Sequence, residues 1–422
     1  MSTSLNHSVA AEGAKRGGPI RSLYNRNYRL LWIASLITIS AWMMQMVARG
    51  WLILEMTNSP FYVTMVYAAG SLPMLVFTIA GGILADRVER RRIVMANDVA
   101  GLFLYALLGL LVLTHTVEVW HVMAISFATG VSFSLSMPSR QAIISNLVDR
   151  EDLSNAIALS TAMFSASQTV APAVAGFLVS SIGTAGCFIL TSVILVASML
   201  FLRAIKIPEA QTAPRDQNVL RNLKEGFVYT KNNALIASLI IMGAVGTIFA
   251  MPYQALMPVM ARDVLVVGSQ GLGLLLGAVG VGALTASATL AALSDTHFLG
   301  KMLLASSLSL GLSVILFALS PIFALALVMA ATVGFSMQMF LTTNFTVVQI
   351  VVPDGLRGRV LSIRMVIFGM SPIGQLLGGW VSEEIGAPRT LALGGAICIA
   401  LMLLVIAVST EIRGSWRYID RT

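Results

Sequence analysis

The stretch Gly81-Gly82-Ile83-Leu84-Ala85-Asp86-Arg87-Val88-Glu89-Arg90-Arg91-Arg92 joins two long apolar runs. The first run stops at Asp86, the second begins at Ile93, and four arginines crowd between them. A short loop with four arginines resists translocation, so it sets the orientation of both neighbouring segments. The glycines let a helix end pack closely on another backbone, and the Asp86 carboxylate suits the exposed amides of a helix N-terminus. The residues alone leave two readings open: a charged turn that only sets topology, or a switch between conformations.

Composition extends the membrane reading to the whole chain. Of 422 residues, 57% are apolar and 11% charged, where a soluble domain carries about 25% charge. Because a spanning helix needs roughly 20 apolar residues, the chain has room for about twelve. The expected spans are 30–54, 61–85, 93–114, 119–147, 154–182 and 185–204, then 234–259, 270–293, 301–319, 321–351, 358–383 and 389–409. The predicted fold class is therefore an all-α membrane protein with twelve transmembrane helices in two pseudo-symmetric six-helix bundles. Prolines 73, 138, 172, 252, 258 and 372 fall inside spans, where neighbouring helices or a cavity satisfy the freed carbonyls. Cys187 and Cys398 lie within apolar runs and read as packing residues.

With the N-terminus in the cytoplasm, 24 of the 27 basic residues, Arg140 and Arg364 among them, fall at cytoplasmic ends or loops. Arg49, Arg262 and Arg389 are left for the outer side, so both termini are expected inside. The net charge of +8 thus reflects topology and gives no nucleic-acid surface. No cleavable signal is evident in the first 28 residues. The expected division is a cytoplasmic tail 1–29, a bundle 30–204, a linker 205–233, a bundle 234–410 and a cytoplasmic tail 411–422. In the linker, Val219, Leu220, Leu223, Phe227 and Val228 share one helical face, which suits either a helix in the membrane interface or a packed connector.

The halves echo one another. Gly176 and Gly183 align with Gly379 and Gly386 at a shift of 203, and Asp86 and Arg92 with Asp295 and Lys301 at a shift of 209. A duplicated six-helix unit marks transporters in which two bundles rock about a substrate held between them.

Charges at membrane depth are costly, so each needs a partner or a wet cavity. Asp98 lies about 8 Å into the third span, counted from Ile93. Arg140 lies at a comparable depth in the fourth, so the two can pair. The pair reads as an ion lock, as a proton-coupling site or as a contact to substrate. Trp42, Gln45, Arg49, Gln168, Tyr253, Gln338, Asn344 and Gln375 are candidates for a cavity lined by amides and aromatics, which suits an amphipathic organic solute. The four histidines have no metal-ligand spacing, and neither an activated nucleophile nor a phosphate-binding loop is present. No enzyme activity, metal or cofactor is expected, and active transport would draw on an ion or substrate gradient.

The 81–92 loop resembles the Gly-x-x-x-Asp-Arg-x-Gly-Arg-Arg signature of the major facilitator superfamily, with Glu89 where that signature has Gly. Asn25-Arg26-Asn27-Tyr28, Trp32, Trp42 to Gln45, Gly50 to Leu54, Thr57 to Pro60, Pro138 to Ala142 and Asn155-Ala156 resemble its drug-efflux and secretion-effector branch. The resemblance implies a gating role for Gly82, Asp86, Arg87, Arg90, Arg91 and Asp295, with Asp86 meeting the start of helix 11 near 355–359. It also implies a monomer in the bacterial inner membrane that exports small amphipathic organics by alternating access, coupled to protons. Ala171 replaces the glycine of the Gly-Pro pair found in related antiporters, which counts against that coupling. A dedicated exporter of one metabolite or siderophore, or a lipid translocase, are the alternatives.

Overall fold

The structure, a computed structural model, describes residues 18–205, 219–293 and 299–409. Asp295, residues 206–218 of the connector and the extreme tails lie outside the described residues, as do the side chains of Asp86, Val219, Leu220 and Leu223 and the surroundings of Gly355. The expected contact of Asp86 with helix 11 therefore lies outside them as well.

Ten helices among the described residues are long and apolar enough to cross a membrane. Helix α1 is Arg26–Thr57, α2 Pro60–Arg87, α3 Arg90–Leu113 and α4 Val119–Leu147. The next run, Leu153–Arg203, is 51 residues long and breaks at Gly183. Its parts are α5 (153–182) and α6 (184–203), enough for two crossings. Helix α7 is Val219–Asn232. Ala234–Val264 forms α8, with π-helical turns at Gly246–Ala250 and Met260–Val264 beside Pro252 and Pro258. Helices α9 (Gly268–Ala292), α10 (Leu299–Ala318) and α11 (Phe323–Val351) follow. The eleventh crossing is split into α12 (Asp354–Phe368) and α13 (Ser371–Ile385), with Pro372 opening the second part where its missing N–H costs nothing. Helix α14 is Ala387–Val408. With the α5–α6 run counted as two crossings and α12–α13 as one, the described helices have room for twelve, six in each half.

The two halves pack alike. In the first, α2 lies on α4, α3 on α4, and α3 on the α5–α6 run; in the second, α9 lies on α11, α10 on α11, and α10 on α14. Glycines matched by the internal repeat do the same work. Gly183 (φ 74°, ψ 173°) turns α5 into α6, and Gly386 (φ 84°, ψ 155°) turns α13 into α14. Gly176 and Gly379 each sit where a methyl group would collide with the opposite bundle, the first with Ser269 and Gly273, the second with Thr64.

Those collisions mark two seams, α2 against α13 and α5 against α9. Both run from the end opposite the 87–92 loop, the far end, to mid-height, closing with Leu75 against Gly369 and Thr169 against Gly280. Cross-bundle hydrogen bonds among the described residues fall in the same half. Ser71 Oγ donates to Gln375 Oε1 at 3.2 Å, Ser59 Oγ to Glu383 Oε2 at 2.8 Å, and Arg262 Nη1 to the Leu54 carbonyl at 2.6 Å. Helix α2 packs along α13 but barely meets α12, the half of that crossing nearer the basic loop. Among the described residues the two bundles meet at the far end and only sparsely towards the basic end.

Helix α7 leans on α12. Gly226 lets its backbone approach the Arg359 carbonyl, and Glu225 pairs with Arg359 at 2.5 Å, while Phe227 and Val228 stay exposed. The helix thus packs on α12 and leaves Phe227 and Val228 uncovered.

Candidate functional site

Four helices of the first bundle converge on Asp98, which is fully buried. Its carboxylate accepts from Thr38 Oγ1 of α1 at 3.0 and 3.1 Å, from Ser198 Oγ of α6 at 2.6 Å and from Asn97 Nδ2 at 3.1 Å. Arg140 of α4 faces it, with Nη2 3.7 Å from Asp98 Oδ1 and Nη1 donating to Ser35 Oγ at 2.7 Å. Nη2 itself has no hydrogen-bond partner among the described residues. The expected pairing of Asp98 with Arg140 is present as a charge pair, but hydroxyls hold the carboxylate. Neither sequence position nor hydropathy singled out Ser35, Thr38 or Ser198, because hydroxyls are common in membrane helices and usually satisfy their own backbone.

Beside Asp98 lies a cavity of about 10 Å³ lined by Thr38, Trp42, Asn97, Tyr105, Thr129 and Ser132, about the space that one water centre needs. Asn97 and Ser132 also line a groove of about 320 Å³ that runs past Leu84 and Val88 to Arg92 at the basic end. Asn97, which bonds the buried carboxylate, thus lines both the small cavity and the groove. Trp42 covers the small cavity, stacked on Phe133 with centroids 4.5 Å apart.

Of the other cavity candidates, Arg49 borders this cavity through its bond to Thr129, and the rest do not line it. Gln45 donates to the Thr191 hydroxyl of α6 inside the first bundle. Arg49 is 4% exposed and donates to the Ser126 and Thr129 hydroxyls at 3.0 Å each. No carboxylate pairs with it among the described residues, so Arg49 is a buried cation held by neutral groups and not an interfacial one. Asn344 ties α11 to α8 through the Leu239 carbonyl at 3.0 Å, Gln338 donates to Thr342 at 3.0 Å, and Tyr253 is buried. Gln375 joins the α2–α13 seam, and Gln168 is half-buried next to Thr169 of the α5–α9 seam. Arg364, counted among cytoplasmic ends, lies ten residues into α12, donates to the Leu341 carbonyl at 2.8 Å and covers the Phe345 ring at 4.6 Å.

The basic loop holds on to its own bundle. Arg90 reaches the Ala142 carbonyl at 3.3 Å and Arg91 the Ile205 carbonyl at 3.1 Å, while Arg87 is exposed. The close approach falls on Gly81, against the backbone of Ser134 and Leu135; Gly82, expected to make it, has open space around it.

The motif residues at the start of α1 form a clasp with those at the start of α5. Asn25 caps α1 by accepting from the Asn27 and Tyr28 amides, and donates to the Leu147 carbonyl at 2.7 Å. Tyr28 Oη donates to the Ala156 carbonyl at 2.7 Å and Trp32 Nε1 to that of Leu159 at 3.1 Å. Asn155 accepts from the Ser22 amide at 3.0 Å and donates to the Pro19 carbonyl at 2.9 Å.

A split helix 11, two seams between six-helix bundles and a buried charge pair define a membrane transport protein of the major facilitator type. The sequence profile of the transmembrane secretion effector family matches residues 18–415, and the chain belongs to that family. The family is one of membrane transporters, so the chain is a transporter and not an enzyme. The chain is similar to the multidrug efflux pump Tap of Mycolicibacterium fortuitum, 26% identical over 373 residues covering 86% of this chain and 90% of that one. It is also similar to the enterobactin exporter EntS of Escherichia coli, 26% identical over 392 residues covering 90% and 92%. Its fold matches the crystal structure of the nucleoside transporter NupG with a TM-score of 0.72 at 15% identity, over 90% of this chain and 99% of that one.

Proposed function

We propose that this chain exports small amphipathic organic compounds by alternating access, driven by an inward proton gradient. The observation that carries the reading is the confinement of both seams to the far end. Two bundles that meet, among the described residues, from the far end to mid-height are poised to rock, and the gap between them then faces the basic end. The moving bodies are 30–204 and 234–410, and the protein works as a monomer. The positive-inside rule makes the basic end and both termini cytoplasmic, in the plasma membrane, so the molecule rests inward-facing. Asp98 takes up and releases the coupling proton as its helix and that of Arg140 shift against each other within the first bundle during the cycle. Gly82, Asp86, Arg87, Arg90, Arg91 and Asp295 stabilise the opposite state, in which the loop meets the second bundle. Export of one siderophore is the second reading, favoured by the likeness to the enterobactin exporter.

Proteoliposomes with an imposed pH gradient test this. A panel of hydrophobic cationic dyes and a catechol siderophore should be screened for thermal stabilisation and then for transport. Gradient-dependent movement of at least one compound supports the reading. Binding with transport indifferent to the gradient would remove the proton coupling.

A further inference from the structure

Glu383 belongs to one bundle, yet its Oε2 accepts from two groups of the other: Ser59 Oγ at 2.8 Å and the Phe61 amide at 3.2 Å. These groups frame the start of α2. Ser59 is the N-cap, and Pro60 at the first helical position has no N–H, so the Phe61 amide is the first that the helix exposes. The Ser59 hydroxyl accepts from the Tyr62 amide at 3.4 Å while it donates to Glu383. Serine and foreign carboxylate together satisfy the first turn. A helix start carries roughly half a positive charge, which a carboxylate placed there stabilises.

We propose that Glu383 is a gating residue, a carboxylate latch that favours the far-end-closed state by capping α2 across the bundle interface. The seam beneath delivers it. Positions 375, 379 and 383 follow one another at helical spacing on α13. Gln375 accepts from Ser71, and Gly379 has no side chain to hold off Thr64, so α13 lies close enough for Glu383 to reach Ser59. The adjacent Glu384 has the same charge and is exposed, as Glu383 is, but makes no such contact among the described residues. The latch rests on the rocking described above, because its contacts break only if the bundles part at this end. It is the far-end counterpart of the contact proposed for Asp86: α2 and helix 11 each end in a carboxylate that caps the start of the other, one in each state.

The test is the distance between spin labels at Thr116→Cys and Leu319→Cys, both exposed at the far end of opposite bundles, measured by pulsed electron resonance in nanodiscs. Glu383→Ala should raise the ratio of far-end-open to far-end-closed molecules about tenfold, and Glu383→Gln, which keeps an acceptor, about threefold. Glu384→Ala should leave the ratio unchanged. Gly379→Leu, a wedge in the seam, reports on rocking itself. If the wedge opens the far end and the Glu383 variants do not, the latch is wrong while rocking stands. If Glu384→Ala shifts the ratio as far as Glu383→Ala, the effect is one of net charge and the latch is again overturned. A far end that stays closed even with the wedge would overturn rocking and latch together.

Discussion

Arg140 stops 3.7 Å short of Asp98, whereas the Ser198 hydroxyl reaches the same carboxylate at 2.6 Å. An ion pair held at this distance is easily separated, and the hydroxyls of Thr38 and Ser198 can turn to donate or accept as the charge on Asp98 changes. Asp98→Asn should therefore abolish gradient-driven transport in proteoliposomes but leave downhill exchange. It also strands a buried Arg140, lowering stability by about 3–5 kcal/mol. Adding Arg140→Gln should restore the stability and not the coupling. Full gradient-driven transport by Asp98→Asn would exclude the proton role.

Arg49 poses the opposite case. It is a buried cation supported by two hydroxyls and the Gln45 carbonyl, with no carboxylate among the described residues, an arrangement that opposes folding. Arg49→Gln should leave the melting temperature unchanged or raise it, while transport falls at least about tenfold if the cation is kept for function at the expense of stability. A variant that transports normally would make Arg49 dispensable.

The glycine turns carry a definite cost. At Gly183 and Gly386 the backbone combines positive φ with ψ of 173° and 155°, a region almost confined to glycine. Alanine at either should destabilise by about 1–3 kcal/mol from backbone strain alone, since no neighbouring atom stands closer than 4.0 Å to the added carbon. Thermal unfolding in detergent, with both variants compared, checks the figure and the equivalence of the halves.

Within the clasp, Tyr28→Phe removes only a buried hydroxyl bonded to Ala156 and Ser160. The loss should be about 1 kcal/mol, the usual worth of one such bond. Melting with and without the change, against exposed Tyr24→Phe as control, measures it.

The two glycines of the basic loop should separate by state. Gly81→Val drives a side chain into the backbone of Ser134 and Leu135 and should lower stability outright. Gly82→Val meets open space here, so it should leave the melting point alone and reduce transport only if the opposite state closes on it. Equal stability losses for the two would refute the distinction.

Hydropathy determined most of the spans, because a bilayer demands long apolar runs whatever they pack against, though it did not show the break in helix 11. The bend after Ile182 and the repeat linking Gly183 to Gly386 were legible for a related reason: only glycine fits such backbones. Asp98 and Arg140 stood out because charge at membrane depth is rare, and their partnership followed from equal depth. What the sequence could not decide was direction around the helix axis. Gln45, Arg49 and Asn344 had the polarity of cavity residues, but rotation of their helices turns them inward to Thr191, Ser126 and the Leu239 carbonyl. The reach of Glu383 to Ser59, 324 residues away, depends on how the bundles meet. Pairing between elements distant in sequence is set by packing of whole surfaces, and only the tertiary structure supplies it.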